Sequence, residues 1–94
     1  MRFPPWVRLA KGPQKQAEAR LQYLIHMAAL QTAKGGSLSV FAKLVGVDRT
    51  LIYKYIKRGT FSLPTAMKIS AYVGEHVLPH NALTEPLSIE ADQQ

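Results

Sequence analysis

The sequence predicts an all-α fold, one compact domain of four to five helices with a basic N-terminal arm and a flexible acidic C-terminal tail. Three observations predict it. Between residues 13 and 73, apolar side chains recur at three- and four-residue steps, the spacing that lines one face of a helix. Proline and glycine fall at the ends of those runs, at Pro13, Gly35-Gly36, Gly46, Gly59, Pro64 and Gly74, where helices open and close. The chain's 94 residues, 47% of them hydrophobic, suffice for a single modest core and no second one.

The elements follow in order. Residues 1–12 contain Pro4 and Pro5, with Arg2, Arg8 and Lys11 around Trp6, and no period, which predicts an extended basic arm ending at Gly12. Such an arm either tracks a phosphate backbone or enters a minor groove, or is a disordered tail with Trp6 folded onto the domain surface. Pro13 then opens a helix over about 13–33, with Ala17, Leu21, Leu24, Ile25 and Ala28 on its apolar face. A second row, Tyr23, Met27 and Leu30, reads either as a wide core-facing surface or as a face for a second subunit.

Ser37 or Ser39 caps a helix over 38–45, whose Val40, Phe41, Leu44 and Val45 share one side until Gly46 ends it. Val47 supplies an apolar anchor, and Asp48 offers its side-chain oxygen as cap to a helix over 49–57, closed by Arg58-Gly59. A loop from Thr60 to Leu63 leads to a helix over 64–73, with Ala66, Ile69, Tyr72 and Val73 inward and Gly74 as its stop. Beyond lie a short apolar stretch, His76-Val77-Leu78, and a polar end over 88–94 that is expected to be mobile. The domain is thus placed at 13–87, between the arm and the tail.

Charge narrows the function. Lys and Arg outnumber Asp and Glu by 12 to 6, for a net charge of +6. All twelve basic residues lie at or before Lys68, while Glu75, Glu85, Glu90 and Asp92 are the only charges after it. A basic body with an acidic tail suits a polyanionic partner. Without cysteine there is no disulfide, Cys-based zinc site or thiol nucleophile, and a reducing compartment is the default. No apolar run reaches signal-peptide or membrane-span length, so a cytoplasmic protein without membrane contact is expected. Catalysis has little support. His76 and His80 are four apart, but Pro79 between them opposes a shared helix face for a metal; no nucleophile has a nearby base and no cofactor is implied.

The most informative segment is Leu38 to Lys57. Two helices crossing steeply through so short a turn need a small residue at the junction, a residue tolerant of positive φ in the turn, and apolar plugs. Ala42, Gly46, and the set Phe41, Val45, Val47, Ile52 and Tyr55 meet those needs in order. With Ile52, Tyr55 and Ile56 inward, Arg49, Thr50, Tyr53, Lys54 and Lys57 face out, a surface suited to the major groove. Each outward residue also has a plainer reading: Arg49 and Lys54 as a solvated face, Tyr53 packed on Pro64 or a neighbouring helix, Lys43 as a solubility charge, Thr60 and Ser62 as turn-shaping hydroxyls.

The pattern Ala42-x-x-x-Gly46-Val47-x-x-x-x-Ile52-x-x-Tyr55-x-x-Arg58-Gly59 resembles the helix-turn-helix of the Cro/repressor superfamily of phage and bacterial regulators. Through Pro64, Ile69, Gly74, Val77, Leu83, Pro86 and Leu87 the resemblance extends to the YdaS-like, Cro-like prophage subset, over about residues 35–87. It implies that Arg49, Thr50, Tyr53 and Lys54 approach base edges, with Lys57 and Arg58 on phosphate. Lys43 and Thr60 are further phosphate candidates. Leu38 stands where this family often has a polar phosphate contact, so Ser37 or Ser39 takes that place.

These residues lead to an expected function: a sequence-specific double-stranded DNA-binding regulator, bacterial or phage-encoded and nucleoid-associated, repressing as a homodimer on a pseudo-palindrome. The first helix is similar to that of phage CII-like activators, which are oligomeric. A CII-like activator or a toxin–antitoxin regulator, holding a second protein through helix 13–33 or the tail, is therefore the nearest alternative. A protein-interaction module that keeps the helix-turn-helix as scaffold is another. The homodimer contact is expected on helix 64–73 and the segment after Gly74, with helix 13–33 adding to it.

Overall fold

The computed structural model describes residues 3–84. These form helices α1 (Pro5–Arg8), α2 (Pro13–Thr32), α3 (Leu38–Val45), α4 (Arg49–Arg58), α5 (Leu63–Val73) and α6 (Asn81–Thr84), with a 3-10 turn at Lys34–Gly36 and no strand among the described residues. The all-helical class holds. Each of the four main helices lies within one residue of the boundaries that spacing predicts. Pro5, Pro13 and Pro64 occupy first-turn positions of α1, α2 and α5, where a missing N–H costs nothing.

Helix α2 is the spine. Its Leu21, Leu24, Ile25, Ala28 and Ala29 are buried against Phe41 and Ala42 of α3, Ile52 and Ile56 of α4, and Ala66 and Ile69 of α5. Fully burying one large aliphatic or aromatic side chain contributes roughly 1.5–3 kcal/mol. Phe61, Leu78 and Leu83 close the cluster from the connecting segments.

The N-terminal segment corrects the expected arm. Instead of extending, it turns at Pro4, forms α1, and buries Phe3 and Val7 in the core. Phe3 and Trp6 both meet Tyr23 edge-on, at 5.6 and 6.2 Å between ring centroids. The apolar pair Phe3 and Val7 is one helical turn long, too short for a period to show. The packed core thus takes in residues ahead of Pro13, Phe3 and Val7 among them, and Trp6 packs on its surface. The end of the domain expected over residues 85–87 and the tail over 88–94 lie outside the described residues.

Two residues of the second row of α2 are covered within the chain. Tyr23 is covered by the N-terminal rings, and Met27 lies in a shallow groove of about 160 Å³ with Val73, Val77 and Leu78. Leu30 is half-exposed beside Gly36. A wide apolar face was needed because short segments from both ends of the domain pack on it.

Two further expectations change. Val40 and Leu44 are 38% and 48% exposed, because the core side of the short α3 centres on Phe41 and Ala42. Tyr72 of α5 is 39% exposed and lies edge-on to Phe41 at 6.3 Å, at the rim of the core rather than inside it.

Arg20 is the buried charge of α2, only 3% exposed. Its guanidinium donates to the Ala82 carbonyl at 2.7 Å and lies over the Phe3 ring at 5.4 Å, so one side chain ties α2 to both ends of the described chain. Arg20→Met is expected to cost about 1.5–3 kcal/mol, the worth of a hydrogen bond to a charged donor, in urea unfolding. An unchanged midpoint would show that desolvating the guanidinium consumes all that its contacts return.

After α5 the chain turns back at Gly74, and the His80 backbone N–H and Nδ1 meet Glu75 Oε1 at 3.1 and 2.6 Å. His76 and His80 thus share no helix face. The Glu75 carboxyl is held below its ordinary pKa, first by the His80 N–H and then by its imidazole, against a small effect of burial. A carboxylate depressed in the folded state adds stability above its unfolded pKa and loses it as pH falls through the folded value. This pair is exposed, so its contribution is small. His80→Ala keeps the backbone donor and removes the imidazole, so the Glu75 midpoint, followed by NMR of its carboxyl, is expected to rise part of the way to the ordinary value. An unmoved midpoint would leave the backbone donor as the whole cause.

Candidate nucleic-acid interface

The junction of α3 and α4 is built as its residue types require. Gly46 adopts φ 90° and ψ 32°, a left-handed conformation that strains a side-chain-bearing residue. The Ala42 carbonyl accepts from both Gly46 N–H and Val47 N–H, at 2.9 and 3.0 Å. Ala42 itself is buried where the helices meet, and a larger side chain would push them apart. Val47 is partly buried against the core. Asp48 then caps α4, its carboxylate accepting from Thr50 N–H at 2.8 Å. Ser37 caps α3, accepting from Val40 N–H at 3.3 Å.

The inner face of α4 buries Ile52 and Ile56, while Tyr55 packs on Phe61 at 5.4 Å between ring centroids. Hydrogen bonding with Ser62 holds the Tyr55 phenol below its ordinary pKa; partial burial opposes this, and Thr65, Arg58 and Lys54 add to it. Tyr55 is a strut between α4 and the start of α5. Arg49, Thr50, Tyr53, Lys54, Lys57 and Arg58 are all exposed. Within α4 there is no acidic residue, so its outer surface offers mainly N–H donors, matched to phosphate oxygens and to the O6 and N7 acceptors of guanine.

The far end of α4 is held by a residue that sequence reasoning missed. Gln14, in the first turn of α2, donates from its side-chain amide to the Lys57 and Arg58 carbonyls at 2.9 and 3.2 Å. Gly59, buried at φ 90°, permits this approach: a Cβ there would stand 3.2 Å from that of Ala17. Local sequence carries no signal for Gln14, whose partners are more than forty residues away.

The predicted site residues divide as follows. Arg49 Nη1 donates to Ser39 Oγ at 2.7 Å, which joins a base-reading candidate to a phosphate candidate at the mouth of the junction. The other donors of that guanidinium remain. Arg58 lies over the Tyr55 ring at 4.7 Å, at the edge of the surface. Lys43 is exposed on α3. Tyr53 is half-exposed and lines a cleft beside α2 with Trp6 and Lys57. Thr60 is a correction. Its hydroxyl donates to the Thr84 carbonyl at 2.8 Å, spending the proton that a phosphate contact needs, and so fastens α6 to the loop after α4.

No helix among the described residues is long and apolar enough to cross a membrane. No family model matches the chain, and no curated protein or solved structure matches it.

Proposed function

We propose that this protein is a sequence-specific double-stranded DNA-binding transcriptional regulator of the Cro/repressor helix-turn-helix type, with α4 as its recognition helix. One observation carries the reading: α4 is capped at its start by Asp48, held to α2 at its end by Gln14, and turns outward a surface of cations and hydroxyls with no carboxylate among them. A helix of that kind fits the major groove, roughly 12 Å wide. In this reading Arg49, Thr50, Tyr53 and Lys54 meet base edges, and Ser37, Ser39, Lys43, Lys57 and Arg58 meet phosphate. Thr60 leaves the set.

A single domain this small buries too little surface for regulatory affinity, so two copies bind half-sites about 34 Å apart on a pseudo-palindrome. Repression follows from occupying a promoter in the cytoplasm of a bacterial host. Half-exposed Val40 and Leu44 on α3, with Tyr72 on α5, favour a second reading in which this side of the domain holds another protein.

Selection from random duplexes tests the function. The expected result is an enriched palindrome held at least about a thousandfold tighter than a scrambled duplex across a salt series. No enrichment, with affinity that only decays as salt rises, would overturn it.

A further inference from the structure

A cleft of about 680 Å³ opens between α1, α2 and α4, on the flank of the proposed recognition surface. Its floor is apolar, formed by Ile25, Ala29 and Ile56, all buried. Trp6 and Tyr53 line it as aromatic walls, 52% and 53% exposed. The volume falls within the roughly 300–1,000 Å³ of small-molecule sites, which combine such a floor with a few polar groups at the rim.

Charge at the rim selects the ligand class. Glu18, the one carboxylate in the lining, faces Lys15 at 3.9 Å. Lys57 also lines the cleft, and its ammonium has no anionic partner among the described residues. Gln22 and His26 add side-chain N–H donors. Flat aromatic walls, an apolar floor and an uncommitted cation together suit a planar ring system bearing one negative charge.

We propose that this cleft binds a small aromatic carboxylate, with its ring against Trp6 and Tyr53 and its carboxylate on Lys57, and that this binding opposes DNA binding. The site stands on its own geometry; the antagonism rests on the DNA reading. Tyr53 and Lys57 belong to both surfaces, so a side chain engaged by the ligand is withdrawn from the duplex, and by linkage the duplex weakens the ligand equally.

The chain has one tryptophan, so its indole N–H gives a single NMR resonance at the cleft. Titration with naphthoate is expected to shift that resonance and the Ile25 and Ile56 methyls saturably, with a dissociation constant of about 0.1–1 mM for a ligand of this size. Naphthamide, equal in shape but neutral, is expected to bind about tenfold more weakly. Trp6→Leu, read on the isoleucine methyls, is expected to weaken naphthoate by a similar factor while leaving the affinity for the selected duplex unchanged. Saturating naphthoate is expected to release that duplex from the unsubstituted protein.

No saturable shift at the cleft would overturn the site, and equal binding of amide and carboxylate would overturn its charge assignment. Cleft saturation with the duplex still bound would overturn the antagonism. Failure to bind any duplex would sink the DNA reading alone, and the indole titration would still decide the site.

Discussion

Replacing Arg49, Lys54 and Lys57 together by alanine is expected to weaken binding to the selected duplex at least a hundredfold, roughly the loss when the two base contacts and the one phosphate contact contribute about 1 kcal/mol each. The fold should survive the change. All three side chains are exposed, alanine is the best helix former, and the one hydrogen bond lost, Arg49 to Ser39, is at the surface. Removing Lys57 from the last turn forfeits a favourable charge at the helix C-terminus, about 0.3–1 kcal/mol. Far-UV circular dichroism should therefore be unchanged and the unfolding midpoint lowered by a few degrees at most. The salt dependence should also flatten, by roughly 0.9 in the log–log slope for each phosphate contact removed. Full duplex affinity in this variant, with loss of a protein partner instead, would transfer the function to the interaction-module reading.

The largest effect on stability is expected at Phe41. It is fully buried on α3, inside the cluster that joins α2, α4 and α5, and it supports the edge of Tyr72. Phe41→Ala is expected to cost about 3–5 kcal/mol, since the lost transfer energy is joined by a cavity that short, packed helices cannot collapse to fill. A domain of this size has roughly 5–15 kcal/mol in all. The midpoint should fall by on the order of 20 °C, measured by thermal unfolding. Tyr72→Ala, which removes a partly exposed ring and the same aromatic contact, should cost about 0.5–1.5 kcal/mol. Equal losses in the two variants would contradict this assignment of the core.

How far these features were legible in the sequence depended on how local their causes are. The junction of α3 and α4 was legible because its steric demands fall on fixed neighbours: a small residue at Ala42, positive φ at Gly46, a cap at Asp48. The outward face of α4 followed from the burial of Ile52 and Ile56. Helix α1 was not legible, since one apolar turn, Phe3 and Val7, resembles an irregular proline-containing arm until the rings of α2 are in place. Arg20 counted only as one more positive charge, because its burial depends on α6, which packs from the other end of the chain. Thr60 failed for the same reason: a loop hydroxyl just after α4 looks free until Thr84 arrives. Val40 and Leu44 were misplaced because an eight-residue helix shows its apolar side too briefly to fix its rotation.

What mounts α4 on the domain is backbone atoms and inward side chains: the carbonyls that take the Gln14 amide at its end and Ile52 and Ile56 along its inner face, while Asp48 caps its own first turn. Of the outward residues, Arg49 bonds Ser39 and Arg58 lies over Tyr55, both at the surface, while Tyr53 and Lys57 line the cleft beside α2. The side chains of Thr50, Tyr53, Lys54 and Lys57 are exposed and supply none of the bonds that mount α4, so exchanging them leaves the scaffold in place. The helix works as an exchangeable cassette, in which a lineage, or an engineer, rewrites what the surface selects while Gln14, Gly46, Ile52, Ile56 and Gly59 keep the same mount.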